Sequence, residues 1–91
     1  MSKQIDSRLV GQSIKTLRQS RNWTQEQLAD IVGYSVRNLR RIENDGTDSI
    51  DVVNTFADTF EVSAIDILNG CFLFVFYTKK ALLTFAIQYL L

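Results

Sequence analysis

Apolar residues recur every three or four positions along most of the first seventy residues, which is the spacing of helices that bury one face. Val10, Ile14 and Leu17 predict a first helix from about Ser7 to Ser20. Four further helices are predicted from the polar residues that can cap them: Thr24, Ser35, Asp48 or Ser49, and Ser63. The pattern therefore predicts an all-α domain of five short helices between residues 7 and 70.

The ends of the second helix are marked most clearly. Thr24 and Gln27 have the spacing of a capping box, and Gly33 is a natural left-handed end for the helix. Asn44 to Thr47 has the composition of a loop, so the third helix is expected to end before it. The predicted core consists of the periodic apolar residues Val10, Ile14, Leu17, Leu28, Ala29, Val32, Leu39, Ile42, Val53, Phe56, Ala57, Phe60, Val62, Ile65 and Leu68.

Length and composition exclude several classes of protein. Ninety-one residues make one domain with at most a short appendage. A lone Cys71 allows no internal disulfide and fits a cytoplasmic location, and with no His it leaves too few ligands for a structural zinc site. The first residues lack the apolar stretch of a signal peptide. No Gly-rich phosphate loop or nucleophile–base set is present, so neither an enzyme nor a cofactor is expected.

The net charge of zero hides an asymmetry. Residues 1–42 carry eight Lys or Arg against three acidic residues, a net of +5, whereas residues 43–70 carry seven acidic residues and no basic one. Three of the arginines, Arg37, Arg40 and Arg41, lie on the predicted third helix. Two short helices joined at Gly33, the second of them basic, indicate a helix-turn-helix whose second helix enters the major groove of DNA.

Several short motifs stand in register along this region. They are Val10-Gly11 with Ile14 and Leu17-Arg18, Trp23-Thr24-Gln25 with Leu28-Ala29, Gly33 with Ser35, Ile42-Glu43, and Phe60 with Val62-Ser63 and Leu68. Over residues 7–69 this succession resembles the Cro/C1-type (XRE-type) helix-turn-helix family of phage and bacterial repressors. The resemblance implies a lambda-repressor-like DNA-binding domain and a transcriptional regulator, usually a repressor, that binds an operator in double-stranded DNA as a homodimer. Asp48 departs from the family, which usually has Pro there.

The resemblance also assigns roles to individual residues. It implies base contacts from Ser35, Val36, Arg37, Asn38 and Arg41. Arg37 is the first choice, since Arg is the usual partner of guanine. It implies that Gln25 contacts a phosphate and braces the third helix, and that Arg18 and Glu43 form a structural ion pair. Arg40 and Asn44, on the third helix, are further candidates for phosphate contacts. Trp23 is expected to be a packing residue.

Residues 71–91 form a separate, hydrophobic C-terminal segment beyond the domain of residues 1–70, and three interpretations of it stay open. The segment can pair with a second copy of the chain as a dimerisation element. It can cross a membrane, although Lys79 and Lys80 then fall near the middle of the span. It can also be an incidental product of truncation or recombination. The functional alternative to a homodimeric regulator is a protein-interaction module, such as an antitoxin or a membrane-tethered regulator, that uses this segment.

Overall fold

The structure is a computed structural model that describes residues 5–70. Within that range the chain forms five α-helices and no strand: α1 (Ser7–Ser20), α2 (Gln25–Val32), α3 (Val36–Asp45), α4 (Ile50–Phe60) and α5 (Ala64–Asn69). The prediction of a five-helix, all-α domain is confirmed. The predictions for residues 71–91, as a dimerisation element or a membrane span, lie outside the described residues. None of the helices in residues 5–70 is long and apolar enough to cross a membrane.

Side-chain caps begin four of the helices. The Thr24 hydroxyl accepts a hydrogen bond from the Gln27 amide at 3.1 Å, and the Gln27 side chain accepts one from the Thr24 amide at 2.8 Å, so the predicted capping box is present. Ser35, Ser49 and Asp6 cap α3, α4 and α1, each through one side-chain oxygen that accepts a hydrogen bond from an amide in the first turn. These caps fix where each helix starts, because they satisfy amide groups that have no partner within the helix.

Two glycines allow α3 to pack closely against α1. Gly46 ends α3 with a φ of +81°, and a Cβ there would lie 1.6 Å from the carbonyl oxygen of Ser7. On the other side of the contact, a Cβ on Gly11 would lie 2.7 Å from the carbonyl oxygen of Ile42. The backbones of α1 and α3 can therefore approach this closely only because both positions lack a side chain.

The prediction that residues 44–47 form a loop was wrong for Asn44 and Asp45. Both belong to the last turn of α3 rather than to a loop. Their composition is typical of loops, but the helix continues until Gly46 turns the chain against α1, so a tertiary contact sets its end.

The core lies between α1 and the other helices, and most of it was predicted. The buried apolar residues are Val10, Ile14, Leu17, Leu28, Ala29, Leu39, Ile42, Val53, Phe56, Ala57, Phe60 and Ile67. Val32, Val62 and Leu68 are half-buried and pack against this set. The prediction was wrong for Ile65, which is 60% exposed, because Ile67 occupies the inward position of α5. Two positions along a helix turn a side chain by about 200°, so only one of the two isoleucines can face the core.

Candidate nucleic-acid interface

The third helix has one buried and one exposed face. Leu39, Ile42 and Glu43 are buried, whereas Arg37, Arg40 and Arg41 are exposed. Successive residues of a helix are about 100° apart, so Arg37 and Arg41 project almost directly away from the buried face and Arg40 lies on its flank. The basic face of α3, meaning Arg37, Arg40 and Arg41, thus points into solvent along the length of the helix.

The acidic half of the chain does not neutralise this face. Among residues 5–70 the ion pair that forms is the one between Arg18 and Glu43, at 2.7 Å, and it does not involve the basic face of α3. The guanidinium groups of α3 therefore keep donors and charge that another molecule can use.

Four of the five base-contact candidates share one open cleft. Ser35, Arg37, Asn38 and Arg41 line a cleft of about 350 Å³ on the outer side of α3. Within it, Nη2 of Arg41 donates a hydrogen bond to Oδ1 of Asn38 at 3.2 Å, which directs the guanidinium along the helix surface. Two guanidinium groups, an amide and a hydroxyl around one cleft provide the donors and acceptors that base edges in a major groove require.

Val36 is placed differently from the other base-contact candidates. Its side chain is half-buried and packs against the core, so only part of it is open to a thymine methyl group. Among the phosphate-contact candidates, Asn44 is exposed in the last turn of α3, whereas Gln25 is half-buried at the start of α2.

Gln25 is hydrogen-bonded inside the protein. Its Nε2 donates to Oε1 of Glu43 at 3.0 Å, so it links the start of α2 to the buried side of α3. An amide nitrogen carries two hydrogens, and one stays available for an outside acceptor. The free amide groups at the start of α2 lie at the same place, where the helix dipole favours an anion. The resemblance implied that Gln25 braces the third helix, but the sequence did not point to Glu43 as its partner, because that contact depends on how α2 meets α3.

Arg18 and Glu43 form the structural pair that the resemblance implied. Nε and Nη2 of Arg18 donate to the two carboxylate oxygens of Glu43 at 2.7 and 3.2 Å, and Nη1 donates to the carbonyl oxygen of Trp23 at 2.8 Å. The Arg18 and Glu43 side chains are 11% and 1% exposed. This fork ties α1 to α3 and to the turn before α2, and so fixes the angle at which α3 is presented.

Trp23 packs beneath that turn. Its ring stacks on Phe60 with centroids 5.8 Å apart, and the guanidinium of Arg21 lies 5.6 Å from its centroid. The ring of Trp23 therefore packs within the fold, as the sequence predicted.

A second cleft, which sequence reasoning missed, lies beside the first. It has a volume of about 560 Å³, and Asn38 and Arg41 contribute to both clefts. Its other walls include Tyr34, Asp45 and Asp48. Acidic side chains thus border the basic face of α3 on the side of α4. No group of His, Cys, Asp and Glu within residues 5–70 is arranged to hold a metal ion.

Comparison with known proteins agrees with this geometry. A family model described as helix-turn-helix matches residues 14–67, more than half of the chain. The antitoxin PezA of Streptococcus pneumoniae serotype 4 is 39% identical over 63 residues, which are 67% of this chain and 39% of the antitoxin. The chain thus spans about two-fifths of the length of that relative. The family model covers α2, the turn at Gly33 and α3. The chain belongs to the Cro/C1-type helix-turn-helix family.

Proposed function

We propose that this protein is a sequence-specific DNA-binding transcriptional regulator, acting as a repressor, that inserts α3 into the major groove of its operator. The observation that carries the proposal is the basic face of α3, which is exposed and free of carboxylate partners within residues 5–70. A helix about 10–12 Å wide fits a major groove of about 12 Å, and its outer side chains then reach the base edges.

Arg37 and Arg41 are the proposed base readers. Both lie on the outermost line of α3, and each can donate two hydrogen bonds to O6 and N7 of a guanine. Ser35 and Asn38, in the same cleft, add shorter donors and acceptors, and the exposed part of Val36 can contact a thymine methyl group. The proposed phosphate contacts come from Gln25, Arg40 and Asn44, which hold the helix in register without reading sequence.

The regulator is proposed to act as a homodimer in the cytoplasm, on nucleoid DNA. Two copies would place two α3 helices on half-sites about one turn of DNA apart, which doubles the contacts available to a single short helix. Residues 71–91 are the proposed dimerisation element, since sixteen of their twenty-one residues are apolar.

A second candidate function is a protein-interaction module such as an antitoxin. The similarity to a protein named an antitoxin favours it, although that similarity spans 39% of that protein's length. An antitoxin that also regulates its own gene would use the basic face of α3 as proposed here. An interaction module that binds no DNA would leave that face without a function.

The test measures binding of the full chain to random duplex DNA across a salt series. Log affinity should fall steeply and linearly with log salt, because bound cations are released from the phosphates. Arg37→Ala should weaken binding to a selected operator by about 1–3 kcal/mol and relax the sequence preference. Lys15→Ala removes the same charge from an exposed position on α1 and should leave the sequence preference unchanged.

Three results would contradict the proposal. Binding that does not depend on salt, or no binding at low salt, would favour the interaction module. An Arg37→Ala protein that selects the same operator as the wild type would show that α3 does not read bases through this residue.

A further inference from the structure

Arg41 and Asn38 lie between the two clefts beside α3. Both residues line the smaller cleft, of about 350 Å³, together with Arg37, and we call it the outer cleft. Both also line the larger cleft, of about 560 Å³, whose walls include Asp45 and Asp48, and we call it the acidic cleft. The guanidinium of Arg41 thus has two directions open to it: toward the other proposed base reader, or toward two carboxylates.

The guanidinium of Arg41 is turned toward the outer cleft. Its Nη2 donates a hydrogen bond to Oδ1 of Asn38 at 3.2 Å, about one turn nearer the start of α3. Among residues 5–70 the ion pair that forms joins Arg18 to Glu43, so Arg41 is not paired with a carboxylate of the acidic cleft. The protein without DNA therefore already holds Arg41 where a base edge would meet it.

The competing contact lies within reach of Arg41. Asp45 follows Arg41 by four positions, and residues four apart on a helix share a side, with Cβ atoms about 5–6 Å apart. Asp48 is exposed just beyond the end of α3 and borders the same cleft. Two carboxylates attract a guanidinium, and they would draw it away from the base edges unless another group held it.

Asn38 provides such a group without adding charge. Its Oδ1 accepts the hydrogen bond from Arg41, and its Nδ2 keeps two hydrogens that a base edge can accept. The Asn38 side chain is half-buried, whereas Arg41 is exposed, so the shorter and more restricted side chain anchors the longer one.

We propose that Asn38 is a positioning residue for Arg41, which keeps the guanidinium at the outer cleft against the attraction of Asp45 and Asp48 and so sets part of the sequence preference. The inference rests on the proposed function, in which Arg41 reads a base, and it gives Asn38 a second role besides its own base contact. The base pair that Arg41 reads should then depend on Asn38 as well.

The test measures binding of the full chain to a selected operator and to operators with one base pair changed. The base pair read by Arg41 is the one at which Arg41→Ala loses a preference of about 5–100-fold. Asn38→Ala should lower the preference at that same base pair by about 3–10-fold, the equivalent of one hydrogen bond. Asn54→Ala, which removes an exposed amide from α4, is the matched control and should keep the preference.

Removal of the competing carboxylates should rescue the loss. In the Asn38→Ala protein, Asp45→Asn together with Asp48→Asn should restore most of the preference at that base pair. Asp51→Asn together with Asp58→Asn makes the same charge change at exposed positions of α4 and should restore none of it. This comparison separates the rescue from the general gain in affinity that a loss of negative charge gives.

An NMR measurement without DNA tests the contact itself. The ¹H–¹⁵N signal of Nε of Arg41, assigned by its loss in Arg41→Ala, should move in Asn38→Ala and stay in place in Asn54→Ala. Circular dichroism checks that each variant is folded, and Asn38→Ser replaces Asn38→Ala if the alanine prevents folding.

Three outcomes overturn the inference. Full preference of Asn38→Ala at the base pair read by Arg41 shows that the two residues act independently. Rescue that is absent, or equal for the two pairs of Asp→Asn changes, removes the competition by Asp45 and Asp48. An Arg41 signal that does not move shows that Asn38 does not hold the guanidinium. In each case the wild type still binds DNA, whereas failure of the proposed function would leave the wild type unable to bind duplex DNA at low salt.

Discussion

Glu43 is the residue on which the position of α3 depends most. Its carboxylate accepts two hydrogen bonds from Arg18 and one from Gln25, so it joins α1, α2 and α3 at one point. The side chain is 1% exposed, and the hydrogen bonds compensate the loss of water around the charge. Its contribution is therefore mainly geometric: it holds α3 at a fixed angle to the rest of the domain.

We expect Glu43→Ala to destabilise the protein by about 3–5 kcal/mol, because the substitution leaves the guanidinium of Arg18 buried without its partner. Urea unfolding followed by circular dichroism measures this. Glu26→Ala, at an exposed position on α2, is the control and should change the free energy of unfolding by less than about 0.5 kcal/mol. Equal stability of the two variants would mean that the pair is not structural.

At the residue level, the sequence predicted which residues have a role better than it predicted which residues they contact. The family resemblance paired Arg18 with Glu43, and it also placed Arg37 and Arg41 at the positions of α3 that face DNA. The resemblance also implied that Gln25 braces α3, but it did not give Glu43 as the partner. That contact depends on how the start of α2 meets the last turn of α3, and residues eighteen positions apart share no local pattern.

Element boundaries followed from local chemistry where a cap defines them. Thr24, Ser35 and Ser49 begin helices because their hydroxyl groups satisfy free amides nearby in sequence. The end of α3 was predicted too early, because a tertiary contact ends the helix: Gly46 packs closely against the backbone of Ser7. Ile65 was misplaced because α5 has six residues, too few for the period to show which isoleucine faces inward.

Two glycines at helix ends should respond very differently to the same change. Both have positive φ, +77° at Gly33 and +81° at Gly46. A Cβ on Gly33 would meet nothing within 4 Å, so Gly33→Ala should cost only the backbone strain, about 1–2 kcal/mol. Gly46→Ala would also drive the Cβ into the carbonyl of Ser7, so its cost should exceed about 4 kcal/mol or prevent folding.

Urea unfolding of the two variants side by side measures the difference, and each serves as the other's control. Similar free energies of unfolding would contradict the close packing of α3 against α1. That packing positions the basic face of α3. The comparison therefore also tests whether α1 holds the proposed DNA-binding helix in place.

At the scale of the whole molecule, charge is segregated along the chain. The basic half contains α1, α2, most of α3 and every proposed DNA contact except Asn44, and the acidic half contains the end of α3, α4 and α5. Such a distribution would orient the domain as it approaches a phosphate backbone, with the acidic helices turned away.

The most direct test of the central claim is an amide-resolved NMR titration of the ¹⁵N-labelled full chain with a random duplex at low salt. We expect the shifts to concentrate in residues 24–27 and 35–44, while amides of α4 and α5 stay within the experimental error. Salt should reverse the shifts, because phosphate contacts weaken with ionic strength. Shifts confined to α4 and α5, or none at low salt, would contradict the claim that α3 is the DNA-binding helix.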